Sequence, residues 1–227
     1  MKSARQLLLR HCIIMSIWII CAIPGCDRQH SASDSATAAE KPMPTEGELT
    51  LSGERFDLAD FEVTLPDSMA AFDFTARDFA AASAAMRSRF DARKFDEASQ
   101  MVEKYRGTGQ FKLFAADLTV EDPSFLDNLN VIVNHVSPQM TQMRAASMSE
   151  QSLAEVGGDL VRRDSFNCAG GNFDRFHSRL AEATIESVAY LLVRDGKMYV
   201  FTFSAEPSRA SSFFAQAEAI MRTFVAR

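Results

Sequence analysis

The sequence predicts an α+β domain: an antiparallel β-sheet with helices packed on both faces, an α/β/α sandwich, preceded by a signal peptide and a disordered linker. Three observations predict it. Residues 188–204 form two apolar runs around Asp195-Gly196, with apolar side chains on both faces of each run. Helical spacing of apolar residues recurs at 75–106 and again after Pro207. The first 48 residues show neither pattern and change composition sharply at residue 26.

Residues 1–10 hold Lys2, Arg5 and Arg10 and no acid, and residues 11–23 (HCIIMSIWIICAI) are an apolar run. That run is shorter than the roughly 20 residues a helix needs to cross a bilayer core. A charged start, a short apolar run and small residues before a cysteine make a secretory signal. The segment Ile23-Pro24-Gly25-Cys26 resembles a bacterial lipobox, with Ile where Leu is usual and Pro at the middle position. The resemblance implies cleavage before Cys26, acyl chains on Cys26 and an anchor in the membrane, since more than one chain is needed to anchor stably. Asp27 resembles the inner-membrane retention signal of enteric lipoproteins and tilts the expectation toward that membrane.

The expected organisation is 1–25 signal peptide, 26–48 lipidated cysteine and tether, and 49–227 globular domain. The tether (DRQHSASDSATAAEKPMPTEGE) is Ser/Ala/Thr/Asp/Glu-rich with almost nothing apolar to bury. As a flexible chain its 22 residues reach about 25 Å.

Removing the leader changes the rest. The whole chain has 24 Lys and Arg against 30 Asp and Glu; residues 26–227 have 21 against 30, a formal charge of −9. That balance argues against binding a phosphate backbone, so nucleic acid is not expected as a partner. The single Trp, Trp18, and two of the four cysteines, Cys12 and Cys21, lie in the leader. With Cys26 assigned to lipid, Cys168 has no partner for a disulfide.

Within the domain, GERFDLADFEVTLPD alternates Phe56, Leu58, Phe61, Val63 and Leu65 and is stopped by Pro66, which predicts a strand pair. Phe79, Ser83, Met86 and Phe90, then Phe95, Ala98, Val102 and Tyr105, predict two helices or one kinked near Asp91, ended by Gly107 and Gly109. QFKLFAADLTV and NLNVIVNHV read as strands around the turn Glu121-Asp122-Pro123-Ser124. Ser147 and Glu150 have capping-box spacing and predict a helix to Glu155, closed by Gly157-Gly158. LVRRDSFNC and FDRFHSRLAEA read as a hairpin around Ala169-Gly170-Gly171-Asn172. Around Asp195-Gly196, pairing Arg194 with Lys197 sets Leu192 opposite Tyr199, Tyr190 opposite Phe201 and Val188 opposite Phe203. Phe213, Ala217, Ile220 and Phe224, with Phe214, Met221 and Val225 beside them, predict a closing helix.

The motifs FEVTLPDSM, SFLDNLNVIVNHV followed by a helix, and DGKMYVFTFSAEP leading into FFAQAEAIMRTF resemble, as a set over 54–226, the PsbP-like fold that includes DcrB-like bacterial proteins. The helical region at 75–106 is longer than that family usually has. The resemblance implies a binding scaffold or chaperone.

No G-x-S-x-G, H-E-x-x-H, Walker loop or C-x-x-C occurs, so no enzyme and no cofactor is expected. No local cluster supplies zinc ligands. His135, alternating with Val131 and Val133, is read as a packed, hydrogen-bonded residue rather than a ligand, and His177 as exposed. Cys168 reads either as a thiol activated by Arg162 and Arg163 or as a small apolar strand-end residue. The candidate interaction surface is Arg162, Arg163, Arg175, His177 and Arg179, on two strands that pair across the glycine turn. A solvated, aggregation-resistant sheet edge is the plainer reading of the same residues. The expected function is a membrane-anchored, periplasm-facing envelope lipoprotein that binds an envelope protein. The alternatives are an immunity lipoprotein against an imported toxin and, further off, a small-ligand binder or enzyme.

Overall fold

The computed structural model describes residues 51–75, 109–117, 119, 125–155, 157–180 and 185–227. The leader, Cys26, the tether, the helical region beyond Thr75 and the turn at 121–124 lie outside the described residues.

Strands β1 (Gly53–Asp57) and β2 (Phe61–Pro66) form the expected first hairpin, and β10 (Val225–Ala226) pairs with β2 on its other side. The seven-stranded sheet contains β3 (Met69–Asp73), β4 (Phe111–Asp117), β5 (Asn128–His135), β6 (Asp159–Cys168), β7 (Gly171–Leu180), β8 (Ile185–Arg194) and β9 (Lys197–Ala205). Its order is β3-β4-β5-β9-β8-β7-β6, with antiparallel neighbours throughout. Two helices are described, α1 (Gln142–Glu155) and α2 (Pro207–Arg222).

The α/β/α sandwich is overturned by this arrangement. Ten strands in two antiparallel sheets dominate the described residues, and among those residues each face of the large sheet carries a single helix rather than a layer of them. The reason lies in β2. Its inward residues Phe61, Val63 and Leu65 are at most 1% exposed and share one core with Val188, Tyr190, Phe201 and Phe203 of the large sheet. The first hairpin therefore makes a sheet of its own, which shares that face with α2. The opposite face carries α1, through Ala145 and Ala146 against Ile132, Phe176, Leu191, Met198 and Val200.

The β8–β9 hairpin has the register read from the sequence, from Arg194 opposite Lys197 to Val188 opposite Phe203. Asp195 and Gly196 have φ of 52° and 72°, the pair of positive values a type I′ turn requires. Because β9 is the central strand and apolar on both faces, it is covered on both. Phe224 sits at the centre of the main core, with Phe201 at 5.1 Å, Phe173 at 5.4 Å and Tyr199 at 5.7 Å, all edge-on.

Three local expectations are corrected. The first is the start of α1, which begins at Gln142 rather than near Ser147, because the Thr141 Oγ1 already accepts the Arg144 N–H at 3.2 Å and caps the helix. Gly157-Gly158 does close it: the Gly157 and Gly158 N–H groups return to Ala154 and Leu153. The second is the end of α2, at Arg222, so Val225 leaves the helix to pair with Glu62 and is exposed, while Phe224 stays buried. The third is β3, a strand absent from the sequence reading, which starts three residues beyond Pro66.

Candidate functional site

Pairing of β6 with β7 sets Arg162 opposite His177, Asp164 opposite Arg175 and Asp159 opposite Arg179, with a bulge between Leu160 and Arg162. Directly opposed residues share a face, so Arg162, Arg175, His177 and Arg179 lie together on the face that carries α2. Arg163, opposite Phe176, is on the other face. The sequence-derived set is thus divided four to one.

Each of these arginines meets a carboxylate. Arg175 binds Asp164 through two nitrogens, at 2.6 and 2.8 Å, and reaches Glu218 of α2 at 2.5 Å. Arg162 closes on Asp164 at 2.5 Å. Arg179 donates to one oxygen of Glu186, and His177 Nε2 lies 3.2 Å from the other. On the far face Arg163 joins Glu150 of α1 to Asp174, at 2.8 and 2.9 Å. Arg162, Arg175 and Arg179 therefore face Asp164, Glu186 and Glu218 on the α2 side. Their formal charges nearly cancel, and the surface is a lattice of ion pairs rather than a positive field.

Aromatic rings are built into that lattice. Arg175 and Arg222 both stand over the Phe166 ring, 5.9 and 5.5 Å from its centroid, and Phe214 packs edge-on against His177 at 5.4 Å. Tyr190 lies under Phe166 at 5.1 Å, with its hydroxyl buried near the Arg175 guanidinium. Burial pushes its phenol well above the ordinary value. Burial is the largest influence on Asp164 and by itself would raise it, but the hydrogen bonds and charges of Arg175 and Arg162 together outweigh it and hold the carboxyl below its usual range. Glu186 is lowered in the same way, against burial, by Arg179 and His177. Arg175 is raised chiefly by its bonds to Asp164.

The remaining candidates stand apart. His135 is exposed at the open end of β5, opposite Lys197, so the packed role expected for it is not what the structure shows. His177 is half-buried rather than exposed. Cys168 is a free, half-buried thiol packed against the main core at the end of β6. Among the described residues no group of three or more His, Cys, Asp or Glu side chains is placed to hold a metal ion. The counter-charges were missed in the sequence, although Asp164 lies two residues from Arg162 on one strand and so had to share its face.

The fold and this site define a class: a two-sheet antiparallel β protein whose surface between β6, β7 and α2 is an arginine–carboxylate lattice around aromatic rings. No family model matches the chain, and no curated protein matches it in sequence. Solved structures similar to it include the cyanobacterial PsbP of Synechocystis, with 13% identity and a TM-score of 0.49, covering 82% of this chain and 100% of that one. LpqN of Mycobacterium tuberculosis, described as involved in cell envelope biogenesis, is similar at 8% identity and a TM-score of 0.47, covering 78% of this chain and 86% of that one. The Ran-binding protein Mog1p of Saccharomyces cerevisiae is similar at 8% identity and a TM-score of 0.46, covering 78% and 96%. At such values the likeness brings neither an activity nor a partner to this chain. No helix among the described residues is long and apolar enough to cross a membrane.

Proposed function

We propose that this protein is a lipid-anchored component of the cell envelope, held by Cys26 and facing the periplasm, that acts by binding another envelope protein and not by catalysis. The observation that carries the reading is the N-terminal pattern: a charged start, a 13-residue apolar run, Gly25-Cys26 and a 22-residue tether rich in Ser, Ala, Thr, Asp and Glu before the domain. The geometry supports the binding role in a second way. Strand β6 stands at the edge of the seven-stranded sheet over ten residues, with Leu160 41% and Val161 50% exposed. A long edge strand with apolar side chains is a natural place for another chain to associate.

Mass spectrometry of the mature N-terminus tests the anchor: the reading expects acylated Cys26 as the first residue, and an unmodified residue 26 or an intact leader overturns it. In-cell crosslinking from a photoreactive residue at position 161 tests the binding role. It expects one discrete adduct with an envelope protein, and no adduct at any position along β6 overturns it.

A further inference from the structure

Helix α1 is held to the sheet differently from α2. Of its 14 residues only Ala145, Ala146 and Leu153 are buried, and Met143 is 75% exposed. Two alanines and one leucine bury little apolar area, whereas α2 buries Phe213, Ile220 and Met221 as well as two alanines. The face under α1 is strongly apolar all the same: Ile132, Phe176, Leu191, Met198 and Val200 are each at most 6% exposed.

Polar contacts supplement this small apolar attachment. The Gln142 Nε2 donates to the Leu191 carbonyl and to Asp174, both at 2.8 Å, and its Oε1 accepts the Val193 N–H at 2.7 Å. The side-chain amide thus makes on β8 the two bonds a neighbouring strand's peptide group makes, where β7's pairing with β8 ends at Asp174 opposite Leu191. Farther along the helix, Glu150 meets Arg163. The helix then stops at Gly157, whose φ is +72°, followed by Gly158, so the chain can swing there without side-chain hindrance.

We propose that α1 is a hinged cover. It lifts from the sheet as a unit, with Gln142 as its catch and Gly157-Gly158 as its pivot, and bares the apolar face beneath while the seven-stranded sheet stays folded. The device does not depend on the reading of the leader. Opening of this kind belongs to the low-stability end of a folded protein, where a segment with few buried contacts detaches before the core does.

Hydrogen exchange of the full chain, followed by peptide mass spectrometry, tests it. Amides of 143–155 are expected to exchange about a hundredfold or more faster than those of the β8–β9 hairpin. Gln142→Ala should speed the α1 amides about tenfold, as loss of its hydrogen bonds would. Val188→Ala, on the far face of β8, should speed the hairpin and leave α1 unchanged, because opening of the cover does not involve that face. If Val188→Ala fails to fold, low urea on the unaltered chain makes the same distinction: α1 exchange should respond weakly and hairpin exchange steeply. Equal exchange of α1 and hairpin, a shift of α1 by Val188→Ala equal to the hairpin's, equally steep urea responses, or indifference of α1 to Gln142→Ala would each overturn the cover.

Discussion

Asn134, on β5 opposite Met198, is 3% exposed, and neither its amide nitrogen nor its oxygen has a hydrogen-bond partner. A buried polar group left unmatched costs roughly 1 to 3 kcal/mol. Asn134→Leu should therefore raise the urea midpoint, by about 1 kcal/mol or more in unfolding free energy; an unchanged or lower midpoint would mean the amide is satisfied. The opposite case is Asp127, whose side chain is 3% exposed and is bound by Arg209 through two nitrogens at 2.7 and 2.8 Å. Arg209→Ala leaves that carboxylate buried without its cation and should cost about 3 to 5 kcal/mol, read by the same titration. Asp164 supplies a pH effect. Its folded-state carboxyl lies below the ordinary range, so its contribution is complete above about pH 5 and is lost progressively as pH falls through the unfolded and then the folded value. Urea midpoints taken from pH 7 down to pH 3 should show that acid loss, and Arg175→Met should flatten it. Of this site the arginine positions were legible, because Arg175, His177 and Arg179 alternate along one strand. The partners were not: Glu218 lies 43 residues from Arg175, and a single sequence does not say which helix face meets which strand.

Elements were legible where local chemistry decides them and obscure where tertiary contact does. Asp195-Gly196 fixes both turn type and register, so the whole β8–β9 pairing follows from two residues. The start of α1 was misplaced because Ser147 and Glu150 offer capping-box spacing inside a helix already capped by Thr141. The separate three-stranded sheet was invisible, since alternation in Phe61, Val63 and Leu65 marks a strand but not the sheet it joins. The β6–β7 connection shows how tightly elements are fitted. A Cβ on Gly170 would lie 2.4 Å from both the Phe224 ring and the Phe224 carbonyl oxygen. Gly170→Ala must push the turn away from the residue at the centre of the main core. It should cost about 1 to 3 kcal/mol, as overpacking does, and weaken the near-ultraviolet circular dichroism of the aromatic cluster; a variant with unaltered stability and spectrum would show that the turn moves freely.

At the scale of the molecule, charge and the proposed anchor act against each other. Residues 26–227 carry a formal charge of −9, and an acidic domain gains nothing from anionic headgroups. On the proposed reading, association with the membrane comes from acyl chains, whose burial is insensitive to salt, and not from the domain surface. Two fractionation results follow from the proposed anchor. The unaltered protein should stay with membranes through a high-salt wash and enter the detergent phase on phase separation. Cys26→Ser should remove the acyl chains and the cleavage site together, so the variant either leaves the membrane or stays by an uncleaved leader, and intact mass distinguishes the two. A Cys26→Ser variant that is cleaved at the same place and still resists salt would show that something other than lipid holds the protein. Folding should be indifferent to the change. The first described residue is Leu51 and the first strand pairing is at Gly53, so no described contact depends on residue 26, and the urea midpoint of the variant should match that of the unaltered chain.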